Sequence, residues 1–379
     1  MIKCQKHLFN LDTSEYYLNC AYKSPLLKNG EILAIQALKK ERNPSYLKPF
    51  DYFNISEEIR TEFSKIINSN KDEVAIIPSS SYGFANVFNN LKINGNKAIT
   101  VENEFPSGYF SIKKWCSEKN IQLETIKRNN LSAQDWNKKI INSIDSDTSV
   151  VIISSVHWMN GTKFDLKKIG EKCKNNNTFF IVDGTQSVGA LSIDVKDFKI
   201  DALICAGYKW LFGPYSMALG YYSSKFNDGI PIEESWMNRT NAQDFSNLTE
   251  YDSKYKPMAG RYNVGETTNF ILSPIMLNGL KQINSWGINN IESYCKKLSK
   301  IVISELSPLG IAFENENYFT YHLFSLGLPK HLNLLTFKKI LEKKKIRVSI
   351  RGANLRVSIN VFNDERDIDK LVETVKEFI

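Results

Sequence analysis

Two residues of this chain, Lys209 and Asp183, have types and settings that suit joint chemistry. Lys209 lies in Ala206-Gly207-Tyr208-Lys209-Trp210-Leu211-Phe212-Gly213-Pro214, just past the apolar stretch Ala202-Leu203-Ile204-Cys205. Asp183 closes a second such stretch, Phe179-Phe180-Ile181-Val182, and leads into Gly184-Thr185-Gln186. An apolar, glycine-rich setting desolvates a lysine, lowers its pKa and makes it nucleophilic. An Asp-Gly pair by itself is a common turn former, so Asp183 gains its weight from the lysine after the neighbouring strand. An amine and an acid at adjacent strand ends suit pyridoxal 5'-phosphate (PLP). Its aldehyde forms a Schiff base with lysine, and its pyridinium nitrogen seeks a carboxylate.

Other segments extend this pattern. Pro78-Ser79-Ser80-Ser81-Tyr82-Gly83 separates an apolar strand from a helical run. Serine hydroxyls and free N–H groups at a helix N-terminus make a phosphate cradle, although capping alone needs only one serine. Phe105, in Glu104-Phe105-Pro106-Ser107, follows a strand and could stack on a planar ring or simply pack in the core. Arg356 interrupts the apolar Leu355-Arg356-Val357-Ser358. It reads either as an outward strand arginine or as a bidentate carboxylate clamp. His157, in Ser155-Val156-His157-Trp158, reads as a second acid/base or as a satisfied strand-end histidine.

The elements that must position these residues form a regular series. Strands are expected at 74–77, 98–101, 122–125, 150–154, 179–182, 202–205 and 218–222, with amphipathic helices such as 108–118, 133–141 and 166–174 between them. Near-continuous apolar strands alternating with helices imply an α/β domain with a mainly parallel sheet. Ligands in such sheets collect at the carboxyl ends of strands, where Asp183 and Lys209 fall. Residues 227–260 are polar and interrupted by Pro and Gly, as in a lid or interface loop. Helices over 271–288 and 291–306 and a strand, helix, two strands and helix then build a smaller α+β domain. The expected division is residues 1–25 packing with the small domain, 26–270 forming the large domain, and 271–379 the small one.

The 379 residues carry a net charge of +8, but the lysines are dispersed among acids without interleaved stacking aromatics, which argues against nucleic acid. Six scattered cysteines and four histidines give no Cys-x-x-Cys or close ligand pair, so no metal site is expected. No apolar run approaches a membrane span, and no cleavable leader is apparent, so a cytoplasmic protein is expected. The strand at 74–77 leads to Pro78-Ser79-Ser80-Ser81 and not to Gly-x-Gly-x-x-Gly, which disfavours a nicotinamide-dependent oxidoreductase.

In Val182–Ala190, Gly207–Pro214, Leu355–Ser358 and, more weakly, Arg261–Phe270, the chain resembles the class V aminotransferases among fold-type I PLP enzymes. Cysteine desulfurases, kynureninases and isopenicillin-N-epimerase-like proteins belong to that group. The likeness runs from about Tyr17-Leu18-Asn19 to the C-terminus. It implies a seven-stranded, mainly parallel PLP-binding domain with a smaller α+β domain, and a homodimer with shared active sites. It further implies Lys209 as the Schiff-base lysine, Asp183 on the pyridinium, Gln186 on the phenolic oxygen and Phe105 on the ring. Ser80, Ser81 and Tyr208 would hold the phosphate, with Thr267 or Thr268 reaching the partner's. Arg356 would take the carboxylate of a small amino-acid substrate, and residues around Asn19 would help select it. The chain departs from desulfurases in having no cysteine in Ile350–Asn354 and a phenylalanine where they stack a histidine. It departs from kynureninases in having Gln186 where they place a histidine, and Ala206 stands where a phosphate-binding serine often occurs. Transamination, epimerisation and lyase chemistry are all open, as is a non-catalytic protein of the same fold.

Overall fold

The computed structural model describes residues 2–329 and 332–379; His331 lies outside them. The chain opens with a two-residue strand, β1 (Tyr16–Tyr17), and two helices, α1 (Lys28–Glu41) and α2 (Asn54–Ile67). A seven-stranded sheet follows: β2 (Val74–Ile77), β3 (Lys97–Val101), β4 (Gln122–Ile126), β5 (Thr148–Ser154), β6 (Phe179–Asp183), β7 (Ala202–Ala206) and β8 (Ala218–Tyr222). Their order is β2-β8-β7-β6-β5-β3-β4. The five strands β3 to β7 run parallel, and β8 is antiparallel to both of its neighbours. The expected strands are all present, several longer by one or two residues.

Strand alternation divides the apolar side chains between two faces. Val151, Ile153, Val182 and Leu203 join one core cluster. Val150, Ile152, Ile181 and Ile204 join the other. Every residue of β5 is buried, as a central strand covered on both sides must be. The covering helices α3 (Ser80–Asn89), α4 (Pro106–Lys119), α5 (Ala133–Ser143) and α6 (Leu166–Asn175) start on clear signals. Ser79, Ser132 and Asp165 cap three of them through their side chains, and Pro106 opens the fourth.

Helices α7 (Leu272–Trp286) and α8 (Ile288–Leu306) lead to β9 (Leu323–Leu326), α9 (Leu334–Lys343), β10 (Ile346–Arg347), β11 (Ser349–Arg351), β12 (Asn354–Ser358) and α10 (Glu365–Phe378). Strands β11, β12 and β9 form an antiparallel sheet, while β1 pairs in parallel with β10. The N-terminal segment packs on these elements: Ser358 N donates to Leu18 O at 2.9 Å, and Gln5 N to Val361 O at 2.7 Å. Helix α7 packs against α1 and α2. Residues 227–260 are not structureless. Short 3-10 turns place Trp236 and Phe245 against Phe53, in an aromatic cluster with Tyr52.

Candidate active site

Strands β6 and β7 bring the two leading residues to one sheet edge. Asp183 is in register with Ile204, and the chain leaving β7 turns at Gly207 into Lys209. A Cβ on Gly207 would stand 2.1 Å from Met276 Cε and 2.7 Å from Met217 O, so only glycine lets this turn close against α7. Phe212, just beyond, is buried with φ at +53°, a costly conformation for a bulky residue that the surrounding packing must hold.

Lys209 is 6% exposed. Its Nζ lies 5.5 Å from the centre of the Phe105 ring and 5.6 Å from that of Tyr208. Burial pulls its ammonium down to about 8, against the pull of Asp183 and with the help of the Arg356 charge. Burial conversely pushes the Asp183 carboxyl above the usual range, opposed by hydrogen bonding from Thr185. Among the described residues no ion pair joins Lys209 to Asp183, so the two attract each other across a gap.

Two adjoining cavities meet at Lys209. The outer one, about 420 Å³, is lined by Tyr22, Trp158, Tyr215, Arg351 and Arg356 together with Phe105, Tyr208 and Lys209. The inner cleft shares Phe105, Trp158, Tyr208 and Lys209 and reaches Ser80, Ser154, Asp183, Thr185, Gln186 and Ala206. Phe105 packs edge-on to Trp158 with ring centres 5.6 Å apart. Ser80 begins α3, whose capping is already met by Ser79, leaving Ser80 free to face the cleft. Ser81 Oγ donates to Ser107 Oγ at 3.0 Å. Gln186 is fixed at both ends of its amide: Nε2 donates to Ala21 O, and Oε1 accepts from Trp210 Nε1.

Arg356 is almost wholly buried. Its Nη1 donates to Trp158 O at 2.7 Å, while Nε and Nη2 have no partner. A buried guanidinium edge without an acceptor is costly, and an anion would satisfy it.

Other expected residues lie elsewhere. His157 does not line either cavity. Its Nδ1 lies 3.1 Å from Asn160 Oδ1 and its Nε2 3.2 Å from Glu102 O, two acceptors of which a neutral ring donates to one, and the ring packs on Trp136 and Phe164. Burial holds its imidazolium down to about 4. Of the two readings drawn from the sequence, this buried position outside both cavities is closer to the strand-end histidine. Asn19 accepts a hydrogen bond from Ser349 Oγ and lines a neighbouring cavity, joining the N-terminal segment to β11. Thr267 and Thr268 spend their hydroxyls on Val264 O and Tyr52 O, away from Lys209 of the same chain. None of residues 227–260 lines the Lys209 cavities.

The structure adds residues that sequence reasoning did not select. Glu104 is buried beside the cleft and accepts hydrogen bonds from Phe105 N at 2.6 Å, Ser154 N at 2.6 Å and Ser154 Oγ. Burial, with the charge of Asp183, pushes its carboxyl up to about 7. Trp158 and Arg351 line the outer cavity. A larger cavity of about 490 Å³ lies beyond Ser187, but Lys167 and Lys168 there are paired with Asp197 and Asp165. It has no buried nucleophile with a perturbed pKa, whereas the Lys209 cavities have one.

The family model described as Aminotransferase class-V matches residues 50–371. A "Probable cysteine desulfurase" of Pyrococcus abyssi is 25% identical over 349 residues, covering 85% of this chain and 83% of the relative. The "Uncharacterized aminotransferase YcbU" of Bacillus subtilis is 25% identical over 258 residues, covering 68% and 66%. Among solved structures, a C-DES mutant with glycine covalently linked to its PLP cofactor superposes with a TM-score of 0.88 at 16% identity. That match covers 99% of this chain and 100% of the other. The structural likeness establishes the fold.

Proposed function

This chain belongs to the class-V aminotransferase family, and from that premise we propose that it is a PLP-dependent enzyme acting at Cα of a small amino acid, with amino-group transfer as the leading reaction. The observation that carries the reading is Lys209, buried and with its ammonium held down by that burial, across a gap from buried Asp183. The donor set fits the cofactor. Its ring would lie under Phe105, its nitrogen on Asp183 and its phenolic oxygen on the one amide hydrogen that Gln186 has left. Ser80, Ser81, Tyr208 and the free N–H groups opening α3 would hold the phosphate. Ala206 offers no hydroxyl there.

When bound, PLP supplies the carbonyl that links to an amine and the electron sink that makes a substrate Cα–H acidic. Arg356, through its unpartnered Nε and Nη2 edge, holds the substrate α-carboxylate. Lys209 Nζ, neutral above its lowered pKa, takes the proton from Cα and is placed to return it. Asp183 keeps a proton on the ring nitrogen. Phe105 and Trp158 shield the cleft from water, and His157, buried between Glu102 O and Asn160 Oδ1, serves to fix the loop that carries Trp158.

A homodimer is supported by Ile32, Ile35 and Leu38, which share one face of α1 and are 52%, 47% and 56% exposed. With their hydroxyls spent, Thr267 and Thr268 would meet a partner's phosphate through backbone N–H groups. Six free thiols suit the reducing cytoplasm, and no helix among the described residues is long and apolar enough to cross a membrane.

A lyase is the second reading, supported by the likeness to the cystine C-S lyase C-DES. Chemistry through a cysteine nucleophile is disfavoured. The hairpin tip is Gly352-Ala353, and the Cys20 thiol is buried and pushed up to about 12. The test is to add PLP and then amino acids to the purified protein. A visible absorption band that amino acids perturb, with 2-oxo acid released and its nitrogen retained on the cofactor, supports transfer; ammonia and 2-oxo acid released together with the sulfur leaving group would point to the lyase. A band that no amino acid perturbs would identify a non-catalytic binder.

A further inference from the structure

The outer cavity carries more positive charge than one amino-acid carboxylate can meet. Lys23, Lys209, Arg351 and Arg356 line it, and no acidic side chain does so among the described residues. The β11–β12 register explains why two arginines arrive together. Arg351 pairs with Asn354 and Ser349 with Arg356, so positions 349, 351, 354 and 356 share one face of the hairpin. Gly352, at φ +58°, makes the tight connection.

The two guanidiniums are not equivalent. Arg356 has spent Nη1 on Trp158 O and has one free edge, enough for a single bidentate carboxylate. Arg351 is half-buried. Its Nη1 donates to Ile350 O at 2.8 Å, and its guanidinium carbon lies 5.9 Å from the Trp158 ring centre. It joins no ion pair among the described residues. Its charge bears on both Arg356 and Lys209. A second anion beside Arg351 would relieve both repulsions.

We infer that Arg351 receives a second anionic group, so that the substrate is an amino acid whose side chain ends in a carboxylate or an equivalent oxyanion. The inference rests on the class-V reading, in which Arg356 is committed to the α-carboxylate. Trp158 presents its carbonyl to one arginine and its ring to the other, fixing the spacing at which the two anions are read.

The test compares the PLP-loaded enzyme with L-aspartate and L-glutamate against their neutral isosteres L-asparagine and L-glutamine, read as half-saturation of the visible band. Calorimetry with succinate and its half-amide gives the same comparison without turnover. The acids are expected to bind at least about tenfold more tightly than the amides. Arg351→Gln should bring that ratio close to one, weakening the acids much more than the amides or L-alanine. Equal binding of acid and amide by the wild-type enzyme, or an Arg351→Gln variant that loses alanine and aspartate alike, would overturn it. If that variant does not fold, the wild-type acid-to-amide ratio decides alone. Failure of the wild-type protein to develop a visible band with PLP would refute the proposed PLP-enzyme reading, whereas a band without acid preference refutes only the role of Arg351.

Discussion

The ammonium of Lys209 lies 5.5 Å from the centre of the Phe105 ring, and no hydrogen bond or ion pair among the described residues holds it there. Packing alone keeps this cation out of water, at a cost to folding. Its pKa falls from 10.5 to about 8 in the folded chain, so the unfolded chain binds more protons between those values. The penalty is fully present below pH 8 and fades towards pH 10.5. Cofactor-free Lys209→Met is therefore expected to be more stable than wild type at pH 7 by up to about 3 kcal/mol. Urea denaturation at pH 7 and pH 10.5 measures it; a variant less stable at pH 7 would contradict the desolvation argument.

Asp183 is expected to matter to rate more than to attachment. Asp183→Asn keeps the shape of the cleft but removes the charge that holds a proton on the ring nitrogen. Turnover should fall by about 10²–10⁴-fold while the visible band still forms with PLP. Turnover within tenfold of wild type would count against the assigned role.

Glu104 ties two strand ends to the cleft. Glu104→Ala leaves Phe105 N, Ser154 N and Ser154 Oγ without their acceptor, at about 1–3 kcal/mol for each buried group. Its folded pKa of about 7 lies above the ordinary 4.5. The stability it contributes through protonation is thus complete below pH 4.5 and lost as the pH rises through 7. The gap between wild type and variant should be wider at pH 5 than at pH 8. Denaturation curves at those two values check this, and a gap that widens with pH would contradict it.

The exposed face of α1 predicts how the chain assembles. Ile35→Glu combined with Leu38→Glu should shift sedimentation from dimer to monomer without unfolding the chain. A double variant that remains dimeric would place the interface elsewhere.

Much of this site was legible because parallel strands are written as apolar runs. The runs ending at Val182 and Cys205 fixed where Asp183 and Lys209 emerge, and Ser79 to Ser81 marked the start of α3. What stayed hidden depends on partners far along the chain. His157 reads as an acid/base candidate until Glu102 O and Asn160 occupy its ring. Nothing in the sequence marks Arg351, which reaches the face of Arg356 only through the register with Asn354. Glu104 reads only as the neighbour of Phe105, because nothing local shows that Ser154 lies across from it. Nothing local marks Trp158, although its carbonyl and ring meet both arginines.

The central claim is that Lys209 is the amine that carries the cofactor. Incubating the wild-type chain with PLP, reducing with borohydride and mapping the modified peptide by mass spectrometry tests it most directly. The account predicts one phosphopyridoxyl group, on Lys209, and none in Lys209→Ala. Label on a different lysine, or no label on a folded wild-type protein, would contradict it.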